Sequence, residues 1–200
     1  MNALEIVPFA GFLVLTVLIL GKTILLNKRG IKVSGGNKNS PRYMRILYPV
    51  FFLLLFVWFF ELAKPVFQFQ FSILSGQLTI PLVNYLFLEI GGALLIVLSL
   101  VFMALTLHHF KSSLRFGLNE NNRGKLINTG IFSVSRNPFF LSIILYFLGT
   151  ALVTPSWFFI TFAVLTIISI HVFILKEEKF MLQHYGESYR EYREKVRRYF

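Results

Sequence analysis

The chain of 200 residues contains no cysteine and draws all nine of its acidic residues from glutamate. Without thiols there is no disulfide, no cysteine nucleophile and no cysteine-ligated metal. Also missing are a GxGxxG turn after a strand, a P-loop, an HExxH pair and a nucleophile elbow. Those absences exclude nucleotide binding by a soluble-type Rossmann domain and nominate no metal ligands. No basic stretch precedes the first apolar run, so a cleaved signal peptide is not expected.

What is plentiful is apolar and basic. Hydrophobic residues make up 56% of the chain, with 24 phenylalanines and a mean hydropathy of +0.67. A soluble domain carries about 45–50%. The net charge is +11, from 20 Lys and Arg against nine Glu. Such an excess can mark a nucleic-acid groove, but here the cations are confined to the gaps between apolar runs. That is the pattern of a membrane protein obeying the positive-inside rule.

Residues 6–26, 46–63 and 82–107 each approach the ~20 apolar residues that span a hydrocarbon core. Trp58 lies toward one end of the second run, where aromatic belts form. In the third, Gly91-Gly92-Ala93 would admit a second helix at close range, and Glu89 is read as lying near an interface or in a polar gap. Residues 66–71 alternate apolar and polar, which predicts an extended segment packed on the outer helix ends. Residues 139–175 hold two more helices, broken at Thr154-Pro155-Ser156, with Pro155 in the new helix's first turn and Thr154 as its cap. The prediction is an all-α integral membrane bundle of five transmembrane helices, the last two a helical hairpin. An amphipathic C-terminal tail follows. It divides into an N-terminal two-helix region with an interfacial segment (1–81) and a core of third helix, loop, hairpin and cap (82–200). Of all the Lys and Arg, only Lys64 falls between the second and third spans. This places the N-terminus outside and the C-terminus in the cytoplasm.

The loop before the hairpin is about thirty residues long, and ordered loops of that length are usually functional. Its end, KLINTGIFSVSRNPFF at 125–140, carries Arg136-Asn137-Pro138 where the chain turns apolar again. Asn137 as N-cap and Pro138 at the first helical position describe an ordinary helix start, with Arg136 as an interfacial anchor. The alternative is one half of a cationic-cofactor site, with Glu177-Glu178 as the other half. Two adjacent carboxylates near a helix C-terminus oppose the macrodipole and repel each other, and a nearby cation would offset both costs. His171 and Glu178, seven residues apart, share a helix face with Ile174 between them. In the tail, Met181, Tyr185, Tyr189, Tyr192, Val196 and Tyr199 form an amphipathic stripe that Gly186 divides into two helices. It suits a peripheral anchor or a cap folded over the third loop.

From about residue 113 to 198 the chain resembles the membrane methyltransferases typified by isoprenylcysteine carboxyl methyltransferase and phosphatidylethanolamine N-methyltransferase. The matching residues are Leu126-Ile127, Gly130-Ile131-Phe132, Arg136-Asn137-Pro138 with Phe140, Glu177-Glu178, Tyr185-Gly186, Tyr189, Tyr192 and Arg198, preceded by Leu114-Arg115-Phe116-Gly117. Each piece alone is weak; their order and spacing are specific. The resemblance implies S-adenosylmethionine held at the cytoplasmic face by Leu126, Gly130, Ile131, Asn137, Pro138, Phe140, Glu177 and Glu178. It implies Arg136 as the group orienting a carboxylate acceptor and His171 as the proton acceptor for an amine. The acceptor is expected to be lipidic or prenylated and to enter from the lipid bilayer, with carboxyl methylation of an isoprenylcysteine-like molecule favoured over phospholipid amine methylation. Phe132 and Phe140 stand where many members have tyrosine. The last helix offers His171 and Lys176 where prenylcysteine enzymes have arginine. Two other readings are an NADPH-dependent reductase of the sterol-reductase type, whose Asn-Tyr is replaced here by Phe139-Phe140, and a non-catalytic membrane scaffold.

Overall fold

The computed structural model describes residues 3–31, 33, 44–111 and 126–200, with side chains from 49 onward in the second segment. The motif Leu114-Arg115-Phe116-Gly117 lies outside these residues. Every regular element among the described residues is helical: α1 (Ile6–Lys28), α2 (Met44–Phe67), the short α3 (Gly76–Thr79), α4 (Leu86–Phe110), α5 (Pro138–Val153), α6 (Trp157–Tyr185) and α7 (Glu187–Lys195).

The long helices form because their apolar runs satisfy every backbone group internally, the only economical arrangement in hydrocarbon. Four of them, α1, α2, α4 and α6, are long and apolar enough to cross a membrane. The expected fifth span, α5, has 16 residues. At 1.5 Å per residue that is about 24 Å, short of a ~30 Å core. It is also the innermost helix. Leu141, Ser142, Ile144, Leu145, Tyr146 and Phe147 are all buried along it, whereas α1, α2 and α4 leave rows of large apolar side chains exposed.

Close contact between α4 and α5 depends on two glycines. A Cβ on Gly92 would lie 2.5 Å from the Gly149 carbonyl oxygen, and one on Gly149 would lie 2.6 Å from that of Gly92. Gly91, beside it, meets nothing, so one glycine of the predicted pair does the work of close approach. Ser99 Oγ donates to the Ser142 carbonyl at 2.7 Å in the same seam, and Tyr146 Oη donates to the Pro8 carbonyl of α1 at 2.7 Å.

Trp58 departs from its predicted place in an interfacial belt. It is 1% exposed and packs against Phe12, Tyr146, Phe147, Phe159 and Phe162, with ring centroids 5.2–6.3 Å apart. Aromatic area is worth more in the bundle interior than at its rim.

The predicted extended segment at 66–71 is also corrected. Helix α2 continues through Phe67 and stops where Gln68 takes φ +56°. Phe69 and Phe71 then fold back onto Phe60, at 5.8 and 6.1 Å between ring centroids. Packing of those rings overrides the period-two pattern. At the hairpin turn the cap is Ser156, which accepts from the Phe159 N–H at 3.4 Å, and not Thr154. Thr154 instead closes α5, donating to the Thr150 carbonyl at 2.9 Å.

The helices give the bundle two unlike ends. One gathers the end of α2, α3, the start of α4 and the α5–α6 turn, with the Leu82 N–H donating to the Pro155 carbonyl at 2.7 Å. Glu89 lies at this end, buried in the first turn of α4, where the macrodipole favours a carboxylate. The other end gathers the end of α4, the start of α5, the lower part of α6 and the tail, and it holds most of the described cations.

Candidate functional site

The site is built where α5 begins. A single 3-10 turn, Gly130–Ser133, precedes it, entered by Gly130 at φ +66°. A side chain at Gly130 would collide with the His109 ring of α4. Only glycine fits both the conformation and the space. Ile131 and Phe132 are buried beneath α7 with Tyr189, Tyr192 and Val196, and Tyr192 Oη donates to the Phe132 carbonyl at 2.7 Å. The Phe132 ring meets Phe110 edge-on at 4.9 Å. The cap reading of the tail therefore describes this fold.

Arg136 is the hub. One terminal nitrogen, Nη1, donates to the carbonyls of Arg193 and Val196 at 2.8 and 3.1 Å, serving the free acceptors at the end of α7. The other, Nη2, donates to Glu178 Oε1 at 2.8 Å. Both side chains are under a tenth exposed. Nε of Arg136 is buried without a partner, and a buried orphan donor of this kind calls for an explanation.

Glu178 is held from a second side. Arg198 donates from Nε to Oε1 at 3.1 Å and from Nη2 to Oε2 at 2.8 Å. The bond to Glu178 holds the Arg198 guanidinium above its usual pKa. The end of the apolar run predicts Glu177-Glu178 near a helix end with an adverse dipole. In fact α6 runs on through Tyr185, beyond the reach of that effect. Glu177 takes no part in the ion-pair cluster, so the two carboxylates are in different situations.

Asn137 occupies the N-cap position of α5 and Pro138 its first residue, as predicted. The amide does not cap, however. Its Nδ2 donates to the Arg198 carbonyl at 3.3 Å, as does Ser135 Oγ at 3.2 Å. The Arg136 N–H donates to the Arg197 carbonyl at 3.0 Å. Two turns up α6 from Glu178, His171 Nδ1 lies 2.8 Å from Tyr199 Oη. Burial pushes the Tyr199 hydroxyl's pKa upward, so it remains a phenol able to donate to that nitrogen. Tyr189, beneath the corner, is pushed up to about 12, first by burial and then by the Glu178 charge.

An apolar cleft of about 350 Å³ opens beside the corner, lined by Leu141, Ile144, Ile167, Ile168, His171, Val172 and Tyr199. Its one polar patch is the His171–Tyr199 pair.

Of the residues named from sequence, Arg136, Asn137, Pro138 and Glu178 come together. His171 lies on the same face of α6. Leu126, Gly130 and Ile131 belong to the neighbouring layer under α7, and Phe140 packs on Phe173 of α6 at 5.4 Å. Arg198, which the resemblance includes without a role, and Tyr199 join the cluster. The sequence signal for Arg198 is weak: adjacent carboxylates need a cation, but any of the tail's many cations would serve.

Residues 87–188 match the family model of the phospholipid methyltransferases. That span begins within α4 and ends within α7, so it contains the loop, the hairpin and Glu178. No curated protein matches the chain.

Proposed function

The chain belongs to the phospholipid methyltransferase family, and from that premise we propose that it moves a methyl group from S-adenosylmethionine to a lipidic acceptor. The reaction would take place at the basic end of the bundle, facing the cytoplasm, with the N-terminus of the chain outside. The single observation that supports this most is the 2.8 Å contact between Arg136 and Glu178. It joins pieces of chain that have no reason to meet in a mere connector.

The donor set suits the cofactor. The bound molecule would supply a methyl on a sulfonium together with an ammonium and a carboxylate. Glu177 and Glu178 are acceptors for its cations. The unpartnered Nε–H of Arg136 is a donor for an anion or a carbonyl. Backbone around Leu126, Gly130 and Ile131, with Asn137, Pro138 and Phe140, is left for the adenosine end.

An amine acceptor is the better reading of the two sequence expectations. Arg136, proposed to orient a carboxylate, already spends both terminal nitrogens on Glu178 and the end of α7. His171 lines the apolar cleft, where the hydrocarbon part of an acceptor would lie. Held by Glu177 and Glu178, the cofactor would supply an electrophilic methyl group to the amine's lone pair, its sulfur keeping the electron pair of the bond given up. The amine then sheds a proton, and His171 is the acceptor at hand. Carboxyl methylation of a prenylated acid is the second reading; it needs no base, and Arg198, one-third exposed, could serve in place of Arg136.

The test is transfer of labelled methyl from S-adenosylmethionine into a total lipid extract and, in parallel, into a prenylated thiol acid. Lipid label that base does not release as volatile methanol supports amine methylation, and label released as methanol supports the carboxylate ester. No label in either, with folded protein, overturns the assignment.

A further inference from the structure

The segment after α7 sits inside the site and not merely over it. Residues 196–200 follow α7 without any helix of their own. They are held by the corner instead: the carbonyls of 197 and 198 by Arg136, Ser135 and Asn137, Arg198 by Glu178, and Tyr199 by His171. Phe200 closes the run edge-on against Phe102 of α4, ring centroids 6.0 Å apart.

We propose that this segment is a latch whose Arg198 occupies, against Glu178, the place of the cofactor's own positive charge, so that it must swing out before the methyl donor can bind. The inference rests on the methyl-transfer reading above and adds a control step to it.

Three features support it. Arg198 takes both oxygens of Glu178, so a ligand cation and Arg198 compete for the same carboxylate. The two arginines are also unequal. Arg136 is 8% exposed at its side chain and Arg198 33%, so one is fixed and the other already borders solvent. Withdrawing Arg198 leaves Glu178 paired to Arg136, which avoids the severe cost of a buried carboxylate with no cation. Finally, the closed arrangement leaves Arg136 Nε–H unsatisfied. The tail fills the corner without completing it, as expected of an occupant that gives way to another.

The absence of native cysteine makes a direct test simple. Phe102→Cys and Phe200→Cys are introduced together and joined by a short bifunctional methanethiosulfonate, which reductant cleaves. Binding of S-adenosylmethionine is measured by calorimetry on the full chain in detergent, before and after reduction, with each single-cysteine protein as a control. A latch predicts binding weakened about tenfold or more when bridged, since the competent fraction falls, and restored by reductant. Tyr199→Phe, which loosens the latch without touching Glu178, should speed association several-fold. Equal affinity in the bridged and reduced forms, or an unchanged association rate in Tyr199→Phe, overturns the latch and leaves the methyl-donor reading standing. No binding in the bridged, reduced or wild-type protein overturns the reading itself, and the latch with it.

Discussion

Glu61 and Glu178 are both buried carboxylates held by cations, at opposite ends of the same bundle, and they are held in different ways. Glu61 is served by its own neighbourhood. Lys64, one turn away, lies 3.7 Å from it, and Ser72 donates to it at 3.2 Å while accepting from Lys64 at 2.9 Å. All three residues come from one reversal of the chain, and the loop closes on itself. Glu178 instead draws Arg136 and Arg198 from 42 and 20 residues away. A local network of the first kind fixes a turn. One of the second kind ties a loop, a helix and a tail that could each fold without it, and it leaves a donor unsatisfied. The contrast separates a structural knot from the proposed site.

The sharpest way to break that contrast is Glu178→Ala. It strands one buried guanidinium and one half-buried one, and should cost about 3–5 kcal/mol. A large fall in Tm in detergent, together with loss of methyl transfer, is the expected result. Gly130→Ala should come next. It sets a Cβ against His109 at a positive φ, and a cost of about 1–3 kcal/mol is expected by thermal melting, with methyl transfer falling further than stability because the turn beneath α7 shifts. Glu61→Ala should be milder, about 1 kcal/mol. Lys64 keeps Ser72 and is 28% exposed, and methyl transfer should stay at the wild-type level. If Glu61→Ala abolished transfer while Glu178→Ala did not, the roles of the two ends would have to be exchanged. The smallest effect belongs to Arg190→Ala. Its pair with Glu187 is more than half exposed on both sides, and a change under about 0.5 kcal/mol is expected in the same melt.

Much of this architecture is legible from run lengths and punctuation. The spans of α1, α2 and α4 follow from apolar stretches that no soluble core would use, and Gly186, at φ +54°, divides α6 from α7 as the pattern requires. Other features are not legible, for physical reasons. Hydropathy ends near Leu175, but Lys, Glu, Met, Leu and Gln are all good helix formers. The helix therefore outlasts the apolar run by ten residues, to Tyr185. Trp58 reads as interfacial because it lies near the end of its apolar run, while its actual partners are phenylalanines and a tyrosine from three other helices. The meeting of Arg136 with Glu178 was foreseeable from the family resemblance and from the charge problem of two adjacent carboxylates. The return of Arg198 to the same carboxylate was not, because a cation in a basic tail is equally well explained by an anionic membrane surface.

The brevity of α5 carries one more consequence. With 16 residues between neighbours of 25 and 29, it cannot reach the level at which those neighbours end, and the polar corner at its foot is sunk between taller walls. A head group anchored among lipids could meet that corner by tilting inward, with its chains still in hydrocarbon. On the proposed reading, the short helix would set the depth of the methyl transfer and spare a lipidic acceptor the cost of leaving the bilayer.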